Sequence, residues 1–195
     1  MTNKPFNRLE GQEVLLIPME LSHWIGLWEA GKPSEIWEFT SAKIGSHEEM
    51  ENEVAKAIQE RDKGSQFPFT IFRKRDAAII GSTRYMDISW KNESLEIGWT
   101  WLHPSAWKTR ANTECKYLLL RHAFEELGMN RVQLKTDGRN IRSQTAIERI
   151  GATKEGILRQ DRKLADGYIR DTVMYSILAS EWPDVKLKLE KLLEN

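Results

Sequence analysis

Two periodicities alternate along the chain, and each predicts one kind of secondary structure. Apolar residues spaced three or four positions apart are typical of helices that bury one face, whereas alternating apolar and polar residues are typical of half-buried strands. The helical spacing occurs in residues 21–30, 47–62, 112–127, 140–150 and 181–193. The strand pattern occurs in residues 13–19, 67–74, 77–89, 95–102, 131–136, 154–162 and 168–178. This order predicts an α+β domain with about seven strands and flanking helices.

Short polar turns between the strand patterns predict antiparallel pairing. Arg75-Asp76 separates the second pattern from the third, and Lys91-Asn92-Glu93 precedes the fourth. Ala165-Asp166-Gly167 divides the last two patterns and is a strong hairpin signal. We therefore expect an antiparallel meander in the first half of the chain and a hairpin near its end.

Composition and charge restrict the class of protein only modestly. The length is typical of one domain, so we expect a single domain over residues 1–195, with a core from about 13 to 182 and a C-terminal helix from 181 to 194. The 29 basic and 29 acidic residues cancel, which argues against nucleic acid or a membrane surface as a partner. Cys115 is the single cysteine, which excludes an intrachain disulfide and favours a reducing compartment. The sequence shows neither a signal peptide nor an apolar run of ~20 residues, so we expect a cytoplasmic protein.

A polar loop before the helix at residue 112 has the properties of an anion site. The first N–H groups of a helix have no partner within the helix and carry a partial positive charge, so a phosphate is stabilised there. Lys108 and Arg110 add two cations, and Thr109, Asn112 and Thr113 add short hydrogen-bonding side chains. An ordinary cap made by Asn112 or Thr109, with solvated cations beside it, explains the same residues equally simply.

A second polar pair begins the helix over residues 140–150. Asn140 and Ser143 are three positions apart, so both side chains can project to the same side of the first turn. An amide can fix a bound carrier, and a hydroxyl can donate a hydrogen bond to a developing anion. The alternative is that Asn140 is simply the N-cap and Ser143 is its partner one turn later.

Taken together, these segments resemble the GNAT acetyltransferase family, and particularly the branch that includes the ribosomal-protein N-terminal acetyltransferases. The resemblance extends from about Glu13 to Trp182. It rests on eight segments in the family's order: Glu96-Ile97-Gly98-Trp99, Asn112-Thr113-Glu114, Ala123-Phe124-Glu125-Glu126-Leu127-Gly128, Asn130-Arg131-Val132, Asn140-Ile141-Arg142-Ser143, Ile150-Gly151-Ala152, Glu155-Gly156-Ile157-Leu158-Arg159 and Arg170-Asp171-Thr172.

The phosphate loop departs from the family's pattern. That pattern is Gln/Arg-x-x-Gly-x-Gly/Ala, in which glycines let the backbone approach the phosphates closely. The corresponding residues here, 107–113, contain no glycine. We expect side chains of Thr109, Arg110 and Asn112 to replace part of the backbone contact, because a guanidinium is well suited to phosphate. The alternative is that the loop binds the carrier more weakly.

The resemblance implies a GNAT fold and an acetyl-CoA carrier, with no metal. The fold is a mixed, mostly antiparallel sheet that splays between its fourth and fifth strands, and acetyl-CoA lies in the gap. Ser143 would donate to the departing thiolate, and Asn140 would hold the carrier near the thioester. The remaining carrier-binding residues implied by the resemblance are Trp99, Thr100, Trp101 and Leu102 on the fourth strand, and Trp107, Lys108, Thr109, Arg110, Ala111, Asn112 and Thr113 in the loop.

Glu96 is our candidate for the general base that removes a proton from the acceptor amine. It alternates with Ile97 on the fourth strand, so it can act on the acceptor side directly or through a water. A solvated charge at a strand end is the alternative. His103 precedes Pro104, so we expect it in a turn. His122 and Cys115 fall on the apolar face of the long helix, so we expect buried structural positions for both, and for Cys115 the resemblance also implies that no covalent enzyme intermediate forms.

The acceptor side is expected in the two-helix region between the first and second strands. Trp28, together with Trp24 and Trp37, can line an apolar wall or belong to the core. Arg84 can hold an acceptor carboxylate or phosphate, or form a surface salt bridge. The acceptor is a protein N-terminus or a small-molecule amine. A polyamine would need acidic residues near the cleft, and Glu35, Glu38, Glu48, Glu49 and Glu51 are candidates that serve equally as surface charges.

Two further expectations concern the class and assembly of the protein. The rival to an enzyme is a non-catalytic CoA-binding or protein-interaction module of the same fold, which the glycine-free loop would suit. The tail helix and the hairpin at Asp166-Gly167 leave more exposed edge than a small domain usually does, so we expect a homodimer.

Overall fold

The computed structural model describes residues 6–41, 43–164 and 166–194. The strands are β1 (Leu9–Glu10), β2 (Val14–Pro18), β3 (Gln66–Arg73), β4 (Ala78–Ser89), β5 (Ser94–Leu102), β6 (Arg131–Asp137), β7 (Thr153–Lys163) and β8 (Ile169–Leu178). The helices are α1 (Trp24–Gly31), α2 (His47–Asp62), α3 (Arg110–Arg121), α4 (Ile141–Arg149) and α5 (Trp182–Glu194). Within these residues, no helix is both long and apolar enough to cross a membrane.

All eight strands form one sheet in the order β1-β2-β3-β4-β5-β6-β8-β7. Every neighbouring pair is antiparallel except β5 and β6, which run parallel. The expected mostly antiparallel, mixed sheet is therefore confirmed. Its eighth strand is β1, which pairs with β2 over only two residues and is too short to produce a sequence period.

β5 and β6 separate soon after they begin. Their pairing is limited to residues 94–96 of β5 and 131–133 of β6, although β5 continues to Leu102 and β6 to Asp137. The later part of each strand thus has no strand partner on the side of the gap. This is the splay expected between the fourth and fifth long strands.

Helices cover both faces of the sheet. On one face, α3, α4 and α5 contribute to a core that includes Leu118, Leu119, Ile147 and Leu189. On the other face, α1 and α2 contribute to a second core, with Leu27, Met50, Val54 and Ala57. Full burial of a Val, Leu, Ile or Met side chain stabilises the fold by about 1.5–3 kcal/mol, so both helix layers are firmly held.

Two helix boundaries differ from the sequence prediction. The segment predicted over 21–30 begins with a 3₁₀ turn, Leu21–His23, before α1 starts. The helix predicted from residue 112 begins earlier, at Arg110, because the Thr109 side chain caps it. Its last part is a π-helical turn, His122–Glu126, and the Leu127 N–H donates to the His122 carbonyl.

The tail helix α5 is docked rather than exposed along its length. Trp182, Val185 and Leu189 are buried against the core shared with α3. The Trp182 indole donates to Glu125 Oε1 at 2.9 Å. The expectation that this helix is an unpartnered edge is therefore wrong, because these three apolar residues pack within the same chain, although Leu187 is exposed. Of the predicted hairpin signal, Asp166 and Gly167 are described and Ala165 lies outside the described residues.

Candidate functional site

A β-bulge interrupts β5 at the splay. Arg84 of β4 is opposite Gly98 and Ser82 is opposite Trp101, so Trp99 and Thr100 together face one residue of β4. Trp99 has φ +48°, in the left-handed region that a bulky residue rarely adopts. Such a bulge turns the following backbone out of the regular ladder. It therefore shapes the strand edge where the resemblance places the carrier's arm.

The loop after β5 makes a glycine-like turn without glycine. Lys108 has φ +59°, a conformation that glycine adopts without steric cost. Thr109 then caps α3: its Oγ1 accepts a hydrogen bond from the Ala111 N–H at 3.2 Å and donates to the Ala106 carbonyl at 2.8 Å. The capping explanation is therefore confirmed for Thr109. It is wrong for Asn112, which lies inside the first turn of the helix.

The predicted loop residues differ in what they can present to a ligand. The side chains of Lys108 and Arg110 are exposed, whereas Ala111 and Thr113 are buried. The exposed cations and the backbone amides of the first turn can thus face a phosphate together, as helix starts do. The Trp107 indole N–H donates to the Leu102 carbonyl at 2.8 Å and links this loop to the end of β5.

Both predicted polar segments meet across the splay. The Arg142 guanidinium, at the start of α4, lies 3.8 Å from the centre of the Trp107 ring. Asn140 caps α4, because its Oδ1 accepts from the Ser143 N–H at 2.9 Å. The Ser143 hydroxyl itself makes no hydrogen bond within the described residues and is half-buried. Asn140 is therefore the N-cap of α4, as the alternative explanation in the sequence analysis has it. The Ser143 Oγ is left free to form a hydrogen bond with a ligand.

Glu96 is a buried ion-pair member at the point where β5 leaves β6. It is 6% exposed, and its Oε2 lies 2.6 Å from Lys135 Nζ on β6. Lys135 Nζ also lies 3.5 Å from Asp87. Burial alone would lower the pKa of Lys135, but hydrogen bonds and charges of Glu96 and Asp87 outweigh it and raise the pKa. The alternative of a solvated charge at a strand end is therefore wrong.

Gly98 leaves room for the Glu96 carboxylate. A Cβ at this position would lie 3.0 Å from Glu96 Oε1 and 2.9 Å from the Met86 sulfur. Both distances are tighter than ordinary van der Waals contacts, so a side chain here would displace one of these groups. Steric crowding by Glu96 and Met86 thus explains why residue 98 is a glycine.

A buried lysine, which the sequence analysis did not single out, lies on the opposite face of β5. Lys116 of α3 is 6% exposed, and its Nζ donates to Thr100 Oγ1 at 2.8 Å. Thr100 Oγ1 is also 2.8 Å from Thr83 Oγ1. Burial lowers the pKa of Lys116 to about 8, opposed in part by Cys115 and Glu96. No periodic signal identifies it, because a polar residue on a mostly apolar helix face gives no sign of its partner.

Arg84 is buried on the face covered by α1 and α2. It is 5% exposed and donates to Glu53 Oε1 at 3.2 Å and to Gln66 Oε1 at 3.0 Å. Its guanidinium lies 4.6 Å from the centre of the Trp99 ring. Burial lowers the pKa of Arg84, with a smaller opposing effect of Glu53. The predicted surface salt bridge is therefore wrong, because this ion pair lies inside the protein beside the bulge.

Two buried donors on this face have no partner within the described residues. They are the Nε of Arg84 and the indole Nε1 of Trp28. Buried polar groups normally form hydrogen bonds, so each unsatisfied donor suggests an acceptor supplied from outside the chain; Arg84 lines the cleft beside Trp99, and Trp28 packs against the same core. Trp37, in contrast, donates to the Gly31 carbonyl at 2.7 Å and belongs to the core.

The five acidic residues considered for a polyamine site are surface residues. All five are exposed, whereas Arg84 is buried. The carboxylate that lines the cleft with Arg84, Trp99 and Trp101 is Glu53, which the sequence analysis did not name. Within the described residues, no group of three or more His, Cys, Asp or Glu side chains is arranged to hold a metal ion.

The other titratable candidates have structural positions. Cys115 is fully buried, and burial raises the pKa of its thiol to about 12, so almost no thiolate is present near neutrality. His122 is 1% exposed, with Nδ1 3.2 Å from the Tyr85 hydroxyl, and burial lowers its pKa. His103 Nδ1 accepts from the Ser105 N–H at 3.1 Å in a short turn. These positions agree with the expected packing and turn roles.

Comparisons with known proteins agree with this geometry. The family described as "Acetyltransferase (GNAT) domain" matches residues 13–153. A crystal structure of an acetyltransferase of provisional assignment from T. thermophilus has 38% sequence identity and a TM-score of 0.88, and the match covers 99% of this chain and 100% of that one. A GCN5-related N-acetyltransferase from Brucella melitensis has 28% identity and a TM-score of 0.90, with 96% and 86% covered.

A curated relative carries a more specific name. YdaF of Bacillus subtilis (strain 168), provisionally named a ribosomal N-acetyltransferase, is 32% identical over 111 residues. The alignment covers 57% of this chain and spans 60% of the length of YdaF. The similarity to this relative is therefore partial.

Proposed function

The chain belongs to the GNAT acetyltransferase family, and from this premise we propose that it moves an acetyl group from acetyl-CoA to the primary amine of an acceptor. The observation that carries the proposal is the splay between β5 and β6. The splay leaves the edge of β5 without a strand partner, beside the start of α3 and the free hydroxyl of Ser143. The glycine-like backbone at Lys108 supports a phosphate-binding role for this loop, which weakens the case for a non-catalytic module.

The carrier's amide-bearing arm would lie along residues 99–102 and pair with their backbone groups, as an added strand does. Its diphosphate would lie at the start of α3, near the exposed side chains of Lys108 and Arg110. Arg142 and Trp107, which already contact each other, close the other side of the gap. This arrangement brings the thioester to the bulge at Trp99.

The reaction is a direct transfer in which bonds and protons balance. The neutral amine attacks the thioester carbonyl carbon, the C–N bond forms, and collapse of the intermediate breaks the C–S bond with its electron pair on sulfur. Ser143 Oγ donates a hydrogen bond to this sulfur, and the proton lost by the amine passes to Glu96 directly or through water. Glu96 fits this role by position, because it shares the sheet face of Arg84 at the mouth of the splay.

The unsatisfied donors favour a peptide N-terminus over a small polyamine. A peptide offers backbone carbonyl oxygens close to its α-amine, and these can accept from Arg84 Nε and Trp28 Nε1. The name of YdaF refers to a ribosomal acceptor, which is compatible with this proposal. A protonated polyamine offers no acceptor atoms to these two donors.

We also propose that the protein acts in the cytoplasm as a homodimer. The buried, unpaired Cys115 suits a reducing compartment. The hairpin of β7 and β8 exposes Ile157, Leu158 and Ile169, which are 53%, 48% and 49% exposed. β7 is an edge strand, and a second copy would cover this apolar surface.

The test of the proposed function is a panel of acceptors assayed for free CoA. It should contain N-terminal peptides of ribosomal proteins, the same peptides with a blocked α-amine, and small amines including polyamines. We expect CoA release with the free peptides and none with the blocked ones. CoA release with small amines alone would contradict the peptide assignment. Binding of acetyl-CoA without release for any amine would support the non-catalytic module.

A further inference from the structure

Lys116 is a buried amine without a carboxylate partner. Its single hydrogen bond among the described residues goes to the neutral hydroxyl of Thr100, and no carboxylate there forms an ion pair with it. An ammonium group inside a protein is costly unless a counter-charge accompanies it. Lys135, across the sheet, shows the usual solution, because Glu96 pairs with it. Lys116 lacks the equivalent partner.

The position of Lys116 relates it to the proposed carrier site. It lies six residues beyond Arg110, about 9 Å along the axis of α3, and helical side chains tilt back towards the helix N-terminus. Its amine contacts Thr100, within the part of β5 that has no partner in β6. The amine thus contacts the free part of β5 from the side of α3, about two helical turns from the start of that helix.

The charged groups around Lys116 do not neutralise it. On α3, the Cys115 thiol is protonated near neutrality, and the Glu114 carboxylate accepts from the backbone N–H groups of Gln12, Glu13 and Val14. On β5, the charge of Glu96 raises the pKa of Lys116 in part, but the carboxylate points to the opposite face, where Lys135 binds it. β4 presents Thr83, which is uncharged. A negative counter-charge for Lys116 would therefore have to come from a bound ligand.

We propose that Lys116 is the buried counter-charge for the diphosphate of the carrier, so that acetyl-CoA binding is accompanied by proton uptake at this amine. The inference rests on the proposed function, because it takes acetyl-CoA as the ligand and the start of α3 as its phosphate site. Two negative charges brought close to a buried ammonium favour its protonated form. Binding and protonation then stabilise each other by linkage.

The size of the effect follows from the pKa of about 8 for the free protein. About nine tenths of the free protein has a charged Lys116 at ~pH 7, and about one tenth at ~pH 9. If the amine stays protonated in the complex, the affinity for acetyl-CoA falls about tenfold over this interval. Acetyl-CoA itself does not titrate there, because its thiol is acylated and a terminal phosphate loses its second proton near pH ~6.

The experiment is calorimetry with acetyl-CoA at ~pH 7, 8 and 9, repeated in buffers of different ionisation enthalpy. We expect the dissociation constant of the native chain to rise about tenfold and the proton uptake to approach one per chain at ~pH 9. Lys116→Met keeps a similar volume without charge, so it should bind more weakly and with a flat pH profile. Lys116→Arg should bind tightly with a flat profile, because a guanidinium stays charged.

The matched control is Lys108→Met, which removes an exposed lysine of the same loop region. It should weaken binding and keep the tenfold pH dependence. If the native chain binds acetyl-CoA with an affinity that does not change with pH, or without proton uptake, this inference is overturned and the proposed function is not. The measurement uses the native chain, so it does not depend on the folding of a variant. A Lys116→Met profile that matches the native one would also overturn it. Failure of the native chain to bind acetyl-CoA at any pH would instead overturn the proposed function and this inference with it.

Discussion

Replacement of Ser143 by alanine should lower the rate of acetyl transfer without lowering the stability of the fold. The Ser143 N–H is already committed to the cap made by Asn140, and the substitution leaves that hydrogen bond in place. The Oγ has no hydrogen-bond partner within the described residues, so its removal breaks none. Alanine is a better helix former than serine by a few tenths of a kcal/mol. We therefore expect the free energy of unfolding to stay the same or rise by up to about 0.5 kcal/mol.

The rate of acetyl transfer should respond differently. If the hydroxyl donates to sulfur only as the C–S bond breaks, the lost interaction belongs to the transition state. One hydrogen bond to a developing charge is worth about 1.4–2.8 kcal/mol, which corresponds to a ten- to hundredfold lower kcat. Acetyl-CoA affinity should remain nearly unchanged, because the ground state does not use the hydroxyl.

The assay is single-turnover acetyl transfer with a verified acceptor, combined with urea unfolding and calorimetry of acetyl-CoA. Thr145→Ala is the matched control, since Thr145 is an exposed hydroxyl residue on the same helix, and it should keep full turnover. Asn140→Ala removes the cap and should lower the unfolding free energy by about 1 kcal/mol, with weaker carrier binding. Full turnover of Ser143→Ala, with chemistry limiting the rate, would refute the role of the hydroxyl.

Three further predictions test other parts of the molecule. Arg110→Ala should weaken acetyl-CoA binding at low salt, and the loss should shrink as salt is raised, because exposed phosphate contacts are screened. Hydrogen bonds from Arg131 lower the pKa of Glu155 to about 2, so its contribution to stability is present above pH ~4.5 and is lost as the pH falls towards 2. Glu155→Gln should reduce the stability difference between ~pH 6 and 3 by about 0.5–1 kcal/mol, measured by urea midpoints, since the pair is partly solvated. Light scattering at micromolar concentration should give twice the 22.7 kDa mass of the chain, and a monomer mass would contradict the homodimer.

The parts of the fold that follow from local chemistry were predictable. The bounds of α2 match the sequence prediction because Ser46 supplies a cap and Gly64 follows the helix with φ +77°. The start of α3 was not predictable to the residue, since Thr109 and Asn112 are both good capping residues. In the structure Thr109 is the N-cap, and its hydroxyl also donates to the Ala106 carbonyl.

The parts of the site that depend on register were not predictable. The bulge at Trp99 arises from a mismatch between β4 and β5, which no single strand pattern reveals. The partners of Lys116, Arg84 and Arg142 come from other elements, far along the sequence. Glu96 looked like a strand-end charge because its partner, Lys135, lies on a strand that pairs with β5 for only three residues.

Lys135 and Lys116 lie against opposite faces of β5 and differ in how their charges are compensated, and this contrast bears on where the proposed anionic carrier would bind. Lys135 is half-buried and is paired with Glu96, on the face where Glu53 is paired with Arg84, so the carboxylates of that face already have cationic partners. Lys116 has no ion-pair partner among the described residues, and Lys108 and Arg110 are exposed at the start of the same helix. On the proposed function, an anionic carrier therefore gains more from the α3 face than from the opposite face, where the charges balance.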